Sequence, residues 1–163
     1  EAVYFLRKHY NLNLHLVGPC NSGSRKKLQS TIKKFDPHEK WLKMHGCVSY
    51  EYLHNLYHSA DIGLYSSTCE NLPNTLLETM AAGLPIACSN YSPMKEILGE
   101  EAIFYNPESA DDIKYAVKKL IEDKSLRVNL AKKNYEKSQK YSWEKCSMKT
   151  FKYITLMYKK YYL

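Results

Sequence analysis

Long apolar runs are missing from this chain of 163 residues. None approaches the roughly 20 consecutive residues that span a bilayer, which excludes a membrane-crossing helix. The first ten residues include Arg7 and Lys8 in a mixed polar pattern that fits neither a signal peptide nor a transit peptide, and the protein reads as cytoplasmic. Cysteine is sparse: Cys20, Cys47, Cys69, Cys88 and Cys146 are scattered, with no C-x-x-C pair and no histidine at metal-ligand spacing. A disulfide framework and a zinc site are therefore not expected, and the five read as reduced core thiols. Acidic residues are in deficit, 17 against 24 Lys and Arg, for a formal charge of +7. That surplus suits an anionic partner: nucleic acid, membrane phospholipid or a phosphate-bearing small molecule. The basic residues are spread over several segments without a nucleic-acid-binding signature, so they read mainly as solvated surface and no nucleic-acid partner is expected.

A hydrophobic fraction of 44% with 25% charged residues is that of a globular chain. At this length one domain buries roughly 70% of the surface its unfolded chain exposes. Residues 1–10 read as the end of a helix. Residues 12–17 run apolar into Gly18-Pro19, as a buried strand entering a sharp loop does. A helix with a basic face is expected near 24–35, a strand near 41–48, and a helix from 52 to 60 capped by Ser49. Strands at 61–66, 85–88 and 102–105 then alternate with helices at 73–82, 92–98 and 110–123, and the remainder is helical. Such alternation implies a parallel sheet covered on both faces, a Rossmann-like doubly wound α/β domain. Ligands bind such sheets at the carboxyl ends of the strands. The loops to inspect are thus 18–24, 46–49, 66–74 and 89–94.

The third of these loops carries the most unusual residues. It leads into a helix near Pro73, whose first-turn amides and dipole suit a diphosphate. Glu70 lies just before that point. Glu78 lies about one and a half turns into the helix, its side chain tilted back toward the amino end. Two carboxylates can flank an anion there, each accepting hydrogen bonds from vicinal hydroxyls. Two readings stay open on pattern alone: a sugar-nucleotide site, or a solvated Glu70 with Glu78 on an exposed helix face.

The run from Asp61 to Ser89, DIGLYSSTCENLPNTLLETMAAGLPIACS, resembles the donor-site signature of the retaining glycosyltransferases with the two-domain GT-B fold. In that signature a glutamate, seven residues and a second glutamate precede Ala-x-Gly-x-Pro, here Glu70, Glu78 and Ala81 to Pro85. Leu16-Val17-Gly18, His45-Gly46-Cys47-Val48, Ser92-Pro93 with Glu96-Ile97, and Tyr141-Ser142-Trp143 extend the resemblance over nearly the whole chain.

The resemblance implies that residues 1–140 form the nucleotide-sugar-binding domain and 141–163 a helix that packs toward an acceptor domain. It implies that Glu78 hydrogen-bonds the ribose, Glu70 contacts the transferred sugar, and backbone amides of Leu72, Pro73, Asn74, Thr75 and Leu76 hold sugar and diphosphate. Gly18 and Val48 would border the base. The donor would be a UDP-sugar or a GDP-sugar, without metal or other cofactor, and the acceptor a glycan or lipid-linked glycan in polysaccharide or lipopolysaccharide assembly. Phosphate charge would be neutralised by the helix dipole and basic side chains, and leaving-group stabilisation would be the main catalytic term.

Three departures accompany the resemblance. Asn71-Leu72-Pro73 stands where many relatives have Gly-Phe-Gly. The family's central first strand, with the Arg and Lys that clamp the diphosphate, lies outside the sequence, as does the acceptor domain, so the fragment is expected to be inactive alone. A non-catalytic nucleotide-binding module and a basic nucleic-acid-binding domain are the rival classes. Among weaker features, His45 suits a base pocket or a strand end equally. The basic run Arg25 to Lys27 reads as surface. The tail tyrosines Tyr153, Tyr158, Tyr161 and Tyr162, mixed with lysines, permit peripheral contact with an anionic membrane at the inner face of the plasma membrane.

Overall fold

The computed structural model describes residues 1–162. Helices and strands alternate as α1 (Ala2–Leu6), β1 (Leu14–Val17), α2 (Ser22–Phe35), β2 (Leu42–Gly46), α3 (Tyr50–His58), β3 (Gly63–Tyr65), α4 (Asn74–Ala81), β4 (Ile86–Ser89), α5 (Met94–Leu98), β5 (Ile103–Tyr105) and α6 (Ala110–Glu122). Two further helices follow, α7 (Lys124–Ser138) and α8 (Trp143–Tyr162). Every strand pair is parallel, as the alternation requires. The strands nevertheless form two sheets, β1-β2 and β3-β4-β5, where one was expected.

β4 is the centre of the three-stranded sheet, and all four of its residues are buried. Successive strand side chains point to opposite faces, so Ile86 and Cys88 enter one core and Ala87 the other. The first core joins them to Leu76 and Met80 of α4 and to Met94, Ile97 and Leu98 of α5. The second gathers Leu6, Tyr105, Ala116, Val117, Leu120 and Leu130. Covering both faces is what makes the sheet doubly wound, and each large aliphatic side chain removed from water contributes roughly 1.5–3 kcal/mol.

Local chemistry sets the helix ends. Ser109 Oγ accepts from the Asp112 N–H at 3.2 Å and starts α6. Asp123 ends α6, and its carboxylate accepts from the Leu126 N–H at 2.8 Å to start α7. Asp36 ends α2 and is buried. Its carboxylate accepts from the N–H groups of Lys40, Trp41 and Leu42 at 2.8–3.0 Å, joining α2 to β2. Burial pushes its carboxyl up, but those three backbone donors outweigh burial and hold it below the ordinary value. Asn134 of α7 is fully buried and donates to Leu84 O at 3.2 Å, fastening α7 beside α4.

The cysteines correct one expectation. All five are free thiols, but Cys88 alone is buried in the core; Cys47, Cys69 and Cys146 are exposed. A scattered cysteine has no periodicity of its own to report its environment. α8 is a 20-residue helix with no buried residue among those described. No described helix is long and apolar enough to cross a membrane.

Candidate functional site

The loop between β3 and α4 is held by the two neighbouring strands. Tyr105, at the end of β5, donates to Tyr65 O at 2.9 Å and lies 2.7 Å from Ser66 Oγ. Ser89, at the end of β4, donates to Ser67 O at 2.6 Å. The carboxyl ends of two strands therefore fasten the backbone of the third, where an open parallel sheet places its ligand. Burial pushes the Tyr105 hydroxyl well above its usual range, so it remains a hydrogen-bond donor.

The two glutamates are each met by a tyrosine. Tyr65 of β3 donates to Glu70 Oε1 at 2.8 Å, and Tyr57 of α3 donates to Glu78 Oε2 at 3.0 Å. Burial, then the hydrogen bond to Glu70, pushes the Tyr65 hydroxyl up to about 12. Burial and the Glu78 charge push the Tyr57 hydroxyl up to about 12. Both phenols thus stay protonated and donate to the carboxylates. Glu70 Oε2 and Glu78 Oε1 have no hydrogen-bond partner among the described residues, and both glutamates are half-buried. Each carboxylate is oriented through one oxygen and keeps the other for a further donor.

α4 sits close beneath this loop. A Cβ at Gly63 would overlap the Thr79 methyl, so only glycine there lets β3 and α4 approach so closely. Leu76 and Met80 bury one face of α4 completely, leaving Asn74 and Glu78 on the other. Asn74 and Glu78, with Leu72 and Leu77, line a cavity of about 610 Å³. Its other wall is the α7–α8 turn and the start of α8, including Lys140, Trp143, Lys145 and Lys149.

The remaining expected site residues lie elsewhere. Glu70 does not line this cavity. Pro73 is buried and has no N–H to offer, and the side chain of Leu76 is in the core. The Asn74 N–H donates to Leu72 O at 2.9 Å, and the Leu76 and Leu77 N–H groups donate to Pro73 O at 3.0 and 3.2 Å. Within residues 72–76 this leaves Leu72 and Thr75 with amides that donate to no backbone carbonyl. The expected amide cradle is therefore thinner than the sequence suggested.

Gly18 and Val48 follow β1 and β2, strands of the other sheet, and the structure does not bring them into the cavity. The Gly18 N–H donates to Gly46 O at 2.9 Å. Gly18 has φ 137°, a conformation that favours glycine, and open space lies beyond it. His45 Nε2 lies 3.2 Å from His15 Nδ1 across the β1-β2 pair. Among the described residues, no three His, Cys, Asp or Glu side chains are grouped to hold a metal ion.

Residues 1–137 match the family described as glycosyl transferases group 1. The chain belongs to that family. It is 29% identical over 119 residues to an O-antigen chain mannosyltransferase B of Escherichia coli, covering 73% of this chain and 31% of that protein. An uncharacterized glycosyltransferase of Methanocaldococcus jannaschii is 36% identical over 111 residues, covering 64% of this chain and 28% of its own length. Among solved structures, sucrose-phosphate synthase from Thermosynechococcus elongatus superposes with a TM-score of 0.84 at 18% identity, over 98% of this chain and 42% of the other. HepE of Anabaena, in complex with UDP and glucose, gives 0.82 at 17% identity, over 94% and 42%. The fold is that of the Rossmann-like carboxy-terminal half of the GT-B architecture, and the chain spans less than half the length of these relatives.

In this member of the group 1 glycosyl transferase family, the sequence pointed to the two glutamates but not to Tyr57, Tyr65 and Tyr105, which the structure ties to them or to the β3–α4 loop. Each is one of 15 tyrosines, and nothing local separates a tyrosine that reaches a carboxylate from one that packs or faces solvent. The partner of Tyr57 is 21 residues away, and that of Tyr105 is 39.

Proposed function

We propose that this chain is the donor-binding half of a retaining glycosyltransferase that takes a nucleoside-diphosphate sugar. The observation that carries the proposal is the pair of tyrosine-held carboxylates, each with one oxygen free to accept from sugar hydroxyls. Glu78 takes the ribose diol. Glu70, closer to the strand ends, takes hydroxyls of the transferred sugar. The bond between the anomeric carbon and the diphosphate breaks, and the diphosphate leaves with its electron pair. The acceptor hydroxyl attacks the same face, and its proton passes to the departing diphosphate, with no protein nucleophile. Stabilisation of that leaving group is the main catalytic term and needs no metal. The name of one relative, the O-antigen chain mannosyltransferase, supports an acceptor in polysaccharide or lipopolysaccharide assembly. Residues 141–163 pack toward the acceptor half.

The test is calorimetric titration of the chain, and of Glu78→Ala, with UDP-glucose and GDP-mannose. Saturable binding of one donor, lost in the variant, supports the proposal and reveals the base. Failure of the unchanged chain to bind either donor overturns it, as does equal binding by the variant. By itself the chain is expected to bind donor without transferring sugar.

A further inference from the structure

The two-stranded sheet holds a pair of histidines that the donor reading does not use. β1 and β2 run in register as His15↔Lys43 and Leu16↔Met44, and then Val17 pairs with Gly46. His45 is therefore an extra residue with no partner on β1. Gly46, at φ 66°, carries the backbone through this slip in a conformation that favours glycine. One-residue slips of this kind re-aim a side chain. Here the ring is that of His45, whose Nε2 comes to 3.2 Å from Nδ1 of His15.

Two distances describe how the rings meet. Two imidazoles bound to one tetrahedral ion at the usual zinc–nitrogen length have nitrogens roughly 3.3 Å apart and ring centroids roughly 5.2 Å apart. The observed separations are 3.2 Å and 5.1 Å. A straight N–H···N hydrogen bond of this length would hold the centroids about 5.5 Å apart. The ring axes are thus bent away from the nitrogen–nitrogen line, as they are when both lone pairs converge on an ion beside it. His54 and His58 on α3 make the contrast: their centroids are 6.2 Å apart, and His58 Nδ1 is engaged with His54 O at 2.8 Å. His15 is exposed and His45 half-buried, so an ion can reach the pair from solvent. Lys43, opposite His15, is exposed as well, and salt and water screen its charge.

We propose that His15 and His45 form a two-histidine site for Zn2+, with water completing the tetrahedron, that clips β1 to β2. Imidazole nitrogen suits zinc and its late transition-metal neighbours, whereas Mg2+ and Ca2+ take oxygen ligands. With only two protein ligands, the dissociation constant is expected on the order of 10 µM, far weaker than a closed structural zinc centre. The ligands are 30 residues apart, so no short spacing motif announces them. Neither lines the cavity that holds Glu78, and the site is independent of the sugar-nucleotide reading.

The experiment is zinc titration of the metal-free chain, followed by calorimetry and by the nitrogen resonances of the histidine rings. His15→Gln, His45→Gln, their combination and the control His54→Gln are titrated alongside. Zn2+ is expected to bind once and to shift the ring signals of His15 and His45. Either single substitution should weaken binding at least tenfold, and His54→Gln should leave it unchanged. Zinc at tenfold excess over its dissociation constant should raise the melting temperature by roughly 3–5 °C, an effect reversed by EDTA and absent with Mg2+.

Undiminished zinc affinity in the double variant overturns the proposal. So do unmoved His15 and His45 signals in the parent, which would leave the pair as an N–H···N hydrogen bond only. Melting curves in EDTA show whether each variant is folded; for one that is not, the ring signals of the parent decide.

Discussion

Tyr57 on α3 donates its hydroxyl to the Glu78 carboxylate on α4 at 3.0 Å, and the same hydroxyl lies 3.4 Å from Thr75 O in the first turn of that helix. One phenol thus fixes both a candidate ribose ligand and the helix that carries it. Tyr65 does the same for Glu70 within the neighbouring loop, at 2.8 Å.

Removing the Tyr57 hydroxyl should therefore reach the ligand. Tyr57→Phe keeps the ring and is expected to cost about 1 kcal/mol of stability, the net value of one hydrogen bond. Affinity for the nucleoside diphosphate should fall roughly fivefold, because Glu78 loses its fixed orientation. Thermal denaturation and calorimetry on the same sample check both numbers. With the Tyr57 hydroxyl pushed up to about 12, no change in its contribution is expected between pH 6 and pH 9.

Glu70 and Glu78 should separate by ligand. Glu78→Gln is expected to weaken nucleoside diphosphate and sugar nucleotide by the same factor, about tenfold. Glu70→Gln, and more mildly Tyr65→Phe, should spare the nucleoside diphosphate and remove only the extra affinity conferred by the sugar. Parallel titrations with UDP and UDP-glucose, or GDP and GDP-mannose, measure the difference.

The hydrogen bonds from Tyr105 and Ser89 hold the β3–α4 loop from behind. Tyr105→Phe removes a donor from a buried site without opening a cavity and should cost about 1–2 kcal/mol. Its sharper effect is local: limited proteolysis within residues 66–72 should accelerate several-fold relative to the parent. Faster cleavage elsewhere, with this loop unchanged, would contradict the anchoring role.

Asp36 sets part of the acid stability. Its folded carboxyl lies below the ordinary value despite burial, because three N–H groups donate to the charged form. Its contribution is complete above the unfolded carboxyl value of about 4 and is lost as pH falls through the lower folded value. Over that window the unfolded chain binds more protons, so stability declines with acid. Asp36→Ala is expected to lower the melting temperature by roughly 5 °C near neutrality and to flatten the acid side of a stability-against-pH profile.

Much of the fold was legible because it is written in local patterns. Apolar stretches four to six residues long, closed by Gly18, Gly46 or Gly83-Leu84-Pro85, mark strand and helix ends at the scale on which backbone geometry acts. The expected helix at 110–123 appears as Ala110–Glu122, and that at 73–82 as Asn74–Ala81. Both carry apolar residues at helical spacing between clear stops. The initial helix is shorter than expected, Ala2–Leu6.

The cysteine environments and the bonding of the first-turn amides were not legible for the same reason. Whether Cys69 or Cys88 faces the core, or the Asn74 N–H is free, depends on how neighbouring elements pack and how the helix start turns.

The sequence by itself determined the alternating elements, the parallel doubly wound class and the placement of Glu70 and Glu78 around the start of α4. These follow from periodicity, turn residues and spacing along one segment. Only the tertiary structure decided that the strands divide into two sheets, that tyrosines from α3 and β3 hold the two carboxylates, and that residues of α8 line the same cavity as Glu78. Apart from the Tyr65–Glu70 hydrogen bond, which spans five residues, those facts join residues distant in the chain. A hydrogen bond or a cavity wall across such distances exists only once the intervening helices and strands have packed.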